Sequence, residues 1–154
     1  MYRWPTGFLI RDVLTKATTY KQAVNRLSNS PLISPCYFTV AGVDVNQGCV
    51  LVRDHDKLVS KQLLGDQDPK HRYLCQTNHD HGDDNAENII YSYERTREVR
   101  NLMQDEKNLS SPSHLLSSIN SFPLINEETI YTCQMIPSIG SITTVVNREK
   151  ETIH

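Results

Sequence analysis

The sequence has little of what nucleic-acid-binding and membrane-spanning chains depend on. Its 16 Lys and Arg residues are outnumbered by 18 Asp and Glu residues, which gives a formal charge of −2, and the basic residues are scattered. Without a basic stripe, a nucleic-acid partner is not expected. The longest apolar runs, such as residues 49–52, fall far short of the ~20 residues that a bilayer-crossing helix needs. We therefore expect no transmembrane segment.

Two further absences concern secretion and metal or redox chemistry. The first five residues lack the apolar core of a signal peptide, so a secretory signal would have to lie upstream of them. No C-x-x-C pair occurs, which argues against a zinc ribbon or a redox dithiol. Buried, unreactive thiols are expected instead, with one or two disulfides as the open alternative. The cysteines are Cys36, Cys49, Cys75 and Cys133.

The first half of the chain reads as helices followed by strands. A second set of apolar residues follows Thr18 and Thr19, which could cap a new turn, and the helix or helix pair ends near Asn29, because prolines follow closely. β-rich runs at residues 37–40, 49–52, 58–64 and 73–75 predict four antiparallel strands, with a hairpin turn at residues 46–48. The first helix is predicted to bury one face, made by Phe8, Ile10, Val13, Leu14 and Ala17.

The second half alternates between helical and strand patterns. Residues 88–108 keep a helical period, and Ser111 followed by Pro112 is typical of a helix start. Residues 129–136 and 142–146 predict a final hairpin. A length of 154 residues suits one domain, so we predict a single α+β domain over residues 1–154, with its core at about 6–146 and a mainly antiparallel sheet flanked by helices.

The best candidate for chemistry follows the predicted strand at residues 73–75. Polar residues begin directly after it, and a strand that ends this way holds such side chains rigidly at a sheet edge. Asn78 lies at this end, and Arg95 lies near the start of the next helix. A neutral amide and a fixed guanidinium could stabilise a developing oxyanion, or hold a carbonyl or carboxylate.

A cluster of His and Asp residues after the same predicted strand, and an N-glycosylation sequon, carry weaker signals. Imidazole and carboxylate groups could bind a divalent ion, but a solvated acidic loop is favoured over a metal site. We therefore predict no metal and no cofactor. Asn108 opens an N-glycosylation sequon with Ser110, which matters only in a secretory compartment. The members of the cluster are His79, Asp80, His81, Asp83 and Asp84.

Six stretches in order resemble the C-terminal part of the catalytic β-subunit of the acid ceramidase and N-acylethanolamine acid amidase family. Each motif alone is modest, but the ordered set spans nearly the whole chain. Residues 76–80 stand where the family usually has Thr-Asn-Tyr-Asp, and residues 94–96 resemble its Arg-Arg-Thr. The stretches are residues 7–14, 35–42, 48–54, 76–80, 94–96 and 130–132.

This resemblance implies the C-terminal part of an N-terminal-nucleophile hydrolase, with an αββα sandwich fold. In that family a cysteine at a chain terminus attacks a fatty-acyl amide, its own α-amine serves as the base, and no metal is required. Asn78 would then be an oxyanion-stabilising donor, and Arg95 part of the polar network around the scissile amide. The implied substrate is ceramide or an N-acylethanolamine, and the implied location is lysosomal or secreted.

The departures from the family matter equally. None of the four cysteines lies at a terminus, and His79 and Gly82 stand where the family has aromatic residues. We therefore expect a fragment that lacks the attacking thiol, that is inactive alone, and that needs a missing N-terminal portion or an α-subunit. The alternatives are a non-catalytic module that binds lipid or protein, and a metal-binding domain built on His79 and His81.

Overall fold

The computed structural model describes residues 2–65, 72–79 and 89–146. The architecture is mixed α+β with antiparallel sheets, as the sequence predicted. The chain divides into two compact units, residues 1–76 and 77–154, and each is described by itself. The single-domain interpretation stays a prediction. Within the described residues, no helix is both long enough and apolar enough to span a membrane.

In the part of the first unit that the structure describes there are two helices and a three-stranded antiparallel sheet in the order β1-β2-β3. Leu51 in the central strand pairs with Phe38 on one side and Lys61 on the other. Asn46 turns the first hairpin with φ 68°, a left-handed conformation that asparagine tolerates. The predicted positions of all five elements are confirmed. They are α1 Thr6–Lys16, α2 Tyr20–Asn29, β1 Cys36–Ala41, β2 Gly48–Arg53 and β3 Leu58–Leu63.

The predicted buried face of α1 is only partly correct. Leu9 and Val13 are buried at 0% and 4% exposure, and they lie one helical turn apart on the same face. Phe8, Ile10 and Leu14 are exposed instead. Each of these three is one position along from Leu9 or Val13 and is therefore turned by about 100° around the helix axis.

Arg53 is the largest fully buried side chain of the structure. Its guanidinium donates to three backbone carbonyls, those of Leu27, Ser30 (2.7 Å) and Lys57 (3.1 Å). Burial lowers the pKa of this guanidinium below its ordinary value. The three carbonyl oxygens stabilise the buried charge. Because they belong to residues near the ends of α2 and β2, Arg53 links these two elements.

The fourth strand predicted at residues 73–75 is wrong. Residues 72–76 are described, and they form no strand ladder. The three-stranded sheet therefore ends at β3. Local β propensity specifies a strand only when a neighbouring strand supplies the ladder, and Tyr73, Leu74 and Cys75 are only half-buried. Asn78 is consequently not held at a sheet edge, and other contacts must fix it.

The described residues of the second unit form three helices and a two-stranded antiparallel sheet. The helix predicted at residues 88–108 is interrupted after Leu102, because the Asp105 side chain accepts a hydrogen bond from the Lys107 N–H (2.9 Å) and starts a new helix. The helix start at Pro112 and the final hairpin are confirmed. The elements are a 3₁₀ turn Ile89–Tyr91, α3 Ser92–Leu102, α4 Glu106–Ser110, α5 Pro112–Ser118, β4 Tyr131–Ile136, a second 3₁₀ turn Pro137–Ile139 and β5 Ser141–Val146.

Candidate functional site

Asn78 and Arg95 lie in contact in the second unit. The Nη2 atom of Arg95, in the first turn of α3, donates a hydrogen bond to Oδ1 of Asn78. A guanidinium has only donors, so this contact fixes which end of the amide faces Arg95. Within the described residues, Asn78 forms hydrogen bonds through Oδ1 and through its backbone N–H. The two N–H donors of Nδ2 are not used in these bonds, and the residue is exposed.

Arg95 itself is half-buried and retains donor capacity. Its Nε is shielded from solvent and has no hydrogen-bond partner within the described part of the chain. A buried donor left unpaired is costly, by about 1–3 kcal/mol, so such atoms are uncommon in folded proteins. The pair therefore places the exposed amide donors of Asn78 beside the positive charge of Arg95, which suits a carbonyl oxygen or an oxyanion.

Four side chains, which we name the polar cluster, support the pair: Thr77, His79, Ser92 and Thr96. Ser92 is fully buried, Thr96 is 4% exposed and His79 is 7% exposed. Thr77 Oγ1 lies 2.9 Å from Thr96 Oγ1 and accepts from the Ser92 hydroxyl at 3.0 Å. The cluster joins the segment that carries Asn78 to the first turn of α3.

His79 belongs to this cluster through its Nδ1 atom, which contacts the hydroxyls of Ser92 and Thr77. Its ring also packs against the ring of Tyr93, with 4.4 Å between centroids. Among the described residues no group of three or more metal-ligating side chains forms. Asp80, His81, Asp83 and Asp84, the rest of the sequence cluster, lie outside the described residues, so the metal-binding alternative stays a prediction.

The backbone that leads into α3 adopts an uncommon conformation. Ile90 and Tyr91 have φ values of 51° and 55°, in the left-handed region that β-branched and bulky residues rarely occupy. The Tyr91 hydroxyl lies near Glu127, whose negative charge raises the pKa of this phenol. Strained backbone of this kind persists only where surrounding contacts hold it, and it is commonest at functional sites.

None of the four cysteines, all of which are described, forms a disulfide. Cys49 is fully buried, and the other three are half-buried. Burial raises the pKa of the Cys36 thiol, which disfavours the thiolate. Burial also raises the pKa of Tyr20, beside the Cys49 thiol. These environments fit structural thiols rather than activated nucleophiles.

The sequon residue Asn108 is buried at 4% exposure. Its Nδ2, the atom to which a glycan would be joined, donates to the Leu102 carbonyl at 2.7 Å, and its Oδ1 accepts from the Ser118 hydroxyl at 2.9 Å. Glycosylation of Asn108 stays a prediction, and this geometry weighs against it, because the side chain already links α3, α4 and the end of α5.

Two cavities lie elsewhere in the described residues. One of about 600 Å³ in the first unit is lined mainly by polar residues near the ends of α1 and α2, including Lys16, Asn25 and Arg26. The other, about 250 Å³, lies in the second unit and is lined by α5 and the β4–β5 hairpin, including Leu116 and Val145. Neither is lined by Asn78 or Arg95.

Sequence reasoning singled out Asn78 and Arg95 but missed the residues that hold them. Thr96 lies within the stretch predicted to be helical at residues 88–108 and is buried there, and its hydroxyl is used in the polar cluster. Ser92 precedes Arg95 by three residues. Because serine is common near helix starts, the sequence contains no signal that sets Ser92 apart.

Comparison with known sequences defines the class. The sequence profile of the acyl-coenzyme A:6-aminopenicillanic acid acyl-transferase family matches residues 1–150, so the chain belongs to this family. The resemblance to acid ceramidase and N-acylethanolamine acid amidase is confirmed as well. The chain is 30% identical over 142 residues to the N-acylethanolamine-hydrolyzing acid amidase of Caenorhabditis elegans, which covers 90% of this chain and 37% of that protein.

Other relatives give the same result. Acid ceramidase of Mus musculus is 29% identical over 133 residues, covering 84% of this chain and 32% of that protein. The solved structure of the Caenorhabditis elegans amidase ortholog superposes with a TM-score of 0.65 at 27% identity, covering 85% of this chain and 53% of that chain. The chain thus spans about a third of the length of the curated relatives and about half of the solved chain.

Proposed function

We propose that the chain contributes the carbonyl-binding half of a lipid amidase site, in a protein that cleaves the fatty-acyl amide of ceramide, or of a related N-acyl lipid, into an amine and a fatty acid. The observation that carries the proposal is the contact from Arg95 to Asn78 Oδ1. It turns the Nδ2 donors of Asn78 outward, and a polarised amide is a stronger donor. The similarity to an N-acylethanolamine-hydrolyzing amidase and to acid ceramidase supports this reaction class.

In this proposal the attacking thiol comes from a cysteine outside the 154 residues. The thiol adds to the acyl carbon, and its proton passes to the terminal amine of the same cysteine. Asn78 and Arg95 stabilise the negative oxygen that forms on the former carbonyl. The tetrahedral adduct then expels the amine product, whose nitrogen takes up the proton held by that terminal amine, and water hydrolyses the thioester to the fatty acid and the free thiol. The described cysteines, buried or half-buried, do not suit the role of nucleophile.

The wider fold and setting are proposed on the same basis. The two antiparallel sheets and their helices would be the C-terminal part of an αββα sandwich, completed by an N-terminal portion or an α-subunit. The relatives are an acid amidase and an acid ceramidase, so we propose a lysosomal or secreted location. The chain alone is expected not to hydrolyse a fluorogenic ceramide.

The test measures whether the purified chain binds a short fatty amide through this pair. N-octanoylethanolamine is titrated into isotopically labelled protein and followed by NMR, with octan-1-ol as the ligand that lacks a carbonyl. We expect Asn78→Ala and Arg95→Ala each to weaken binding of the amide by about tenfold, since one good hydrogen bond to a polar ligand is worth about 1–2 kcal/mol. Octan-1-ol should bind equally to all variants.

Matched controls lie on the same helix. Arg97 and Asn101 are exposed residues of α3 with the same side-chain chemistry as the two site residues. Their replacement by Ala should leave amide binding unchanged. Equal affinities for wild type, Asn78→Ala and Arg95→Ala would overturn the proposed function.

A second candidate function is binding of lipid or protein without catalysis. One face of the β4–β5 hairpin carries Tyr131, Met135, Ile142 and Val146, which pair across the two strands and are 61–69% exposed. The smaller cavity, with its largely apolar lining, lies in the same unit. This function predicts that the double variant Met135→Ser, Ile142→Ser weakens uptake of both probes, whereas Asn78→Ala weakens neither.

A further inference from the structure

We propose that Ser92 is the positioning residue of the candidate site, and that it sets the orientation of Asn78 without touching the substrate. The expected effect on ligand binding rests on the proposed function, whereas the contacts of Ser92 are observed independently of that function. Ser92 is the first residue of α3 and is fully buried. Its hydroxyl accepts a hydrogen bond from the Asn78 backbone N–H at 3.0 Å.

Asn78 is consequently held at two points by one helix. Ser92 binds its backbone, and Arg95, three residues further along α3 and on the same face, binds its side-chain oxygen. Fixing both ends of so short a side chain leaves it little rotational freedom. The direction of the Nδ2 donors then follows from the position of the first turn of α3.

The hydroxyl of Ser92 has no spare capacity for another role. A hydroxyl offers one donor and two acceptor positions. Ser92 donates to Thr77 Oγ1 at 3.0 Å and accepts from the Asn78 N–H, and its third contact is to His79 Nδ1. Every position on Ser92 is used to join residues 77–79 to α3.

If Ser92 served only to stabilise the fold, its replacement would weaken amide binding whether or not Asn78 is present. Removing the hydroxyl by Ser92→Ala leaves the Asn78 N–H without its acceptor and lets the side chain rotate. The expected result is a loss of amide binding by about threefold to tenfold, since the loss is one of orientation and not of the donors themselves. In an Asn78→Ala background, the same replacement should have no further effect on affinity.

The experiment combines two readouts on the full chain. The first is the hydrogen-exchange rate of the Asn78 backbone amide, which should rise by about tenfold or more in Ser92→Ala. The second is the affinity for N-octanoylethanolamine in wild type, Ser92→Ala, Asn78→Ala and the double variant. Asn108→Ala is the control for general destabilisation, because it removes a buried polar side chain of the same unit that does not contact Asn78.

The outcomes separate this inference from the proposed function. If Asn78→Ala weakens binding and Ser92→Ala does not, or if Ser92→Ala weakens binding equally with and without Asn78, the positioning role is wrong while the proposed function stands. If wild type does not bind the amide, the proposed function fails, and the exchange rate of the Asn78 amide alone decides whether Ser92 holds it. An unchanged rate in Ser92→Ala overturns the inference.

Discussion

The two units differ in what they bury: the first buries an apolar core together with Arg53 and Ser28, whereas the described residues of the second bury only polar side chains. All buried hydrophobic residues among those described lie in the first unit, which is organised around Leu9, Leu32 and Leu51 at 0% exposure. In the second unit the buried residues are His79, Ser92, Thr96 and Asn108, all of them polar. An apolar core is non-directional and stabilises through area, whereas buried polar groups require specific partners. The first unit therefore supplies stability, and the second supplies the fixed geometry that a site needs.

The largest expected effect tests the apolar side of this comparison. Leu9→Ala should lower the free energy of unfolding by about 3 kcal/mol, because it removes a fully buried side chain and leaves a cavity. Urea unfolding followed by the fluorescence of Trp4, the single tryptophan, reports on the first unit, since Trp4 packs against this core. Leu14→Ala, on the same helix but 79% exposed, should change it by less than about 0.5 kcal/mol.

A similar loss in Leu9→Ala and Leu14→Ala would contradict the assignment of the core face. It would restore the face predicted from the sequence, in which Leu14 was buried. The helix itself was predicted correctly, because its apolar period is visible locally. The choice between neighbouring faces depends on how the helix meets the sheet, which the period alone does not specify.

The same dependence on long-range contacts explains why the strand predicted at residues 73–75 is wrong. The apolar run was visible, but a strand exists only where another strand pairs with it, and that pairing is a long-range property. Asn78 and Arg95 could be selected from their chemistry and from the family resemblance. Ser92 and Thr96 could not, because a serine and a threonine near a helix start are common, and only the folded chain brings them to Thr77.

The second prediction tests the polar side of the comparison. Asn108→Ala should cost about 2 kcal/mol, since it leaves the Leu102 carbonyl and the Ser118 hydroxyl without their partner. Hydrogen exchange of the amides in α3 and α5 is the measurement. Asn101→Ala, an exposed position in α3, is the matched control and should leave exchange unchanged. Equal exchange in Asn108→Ala and wild type would mean that buried polar contacts do not hold the second unit.

A smaller effect is expected at the surface of the first unit. Asp12 lies between Lys16 and Arg26, with 2.5 Å to each nitrogen, and the hydrogen bond from Lys16 is the main cause that holds the pKa of this carboxyl below its ordinary value of 3.8. A carboxyl with a lowered pKa stabilises the folded state above its ordinary value, and this stability is lost as the pH falls through the lowered value. Asp12→Asn should therefore reduce the urea midpoint at neutral pH.

The difference between Asp12→Asn and wild type should disappear well below pH 3.8. Asp56→Asn is the control, because Asp56 makes a single ion pair with Arg3 at an exposed position and should contribute less. A difference that persists unchanged in acid would show that Asp12 acts through packing or geometry and not through its charge.

The proposed function depends on where a fatty amide binds in the second unit. The most direct measurement is a crystal structure of the chain with N-octanoylethanolamine bound. We predict that the amide carbonyl oxygen lies about 2.7–3.2 Å from Asn78 Nδ2, with the Arg95 guanidinium beside it. An amide bound on the exposed face of the β4–β5 hairpin, with Asn78 and Arg95 untouched, would contradict the account.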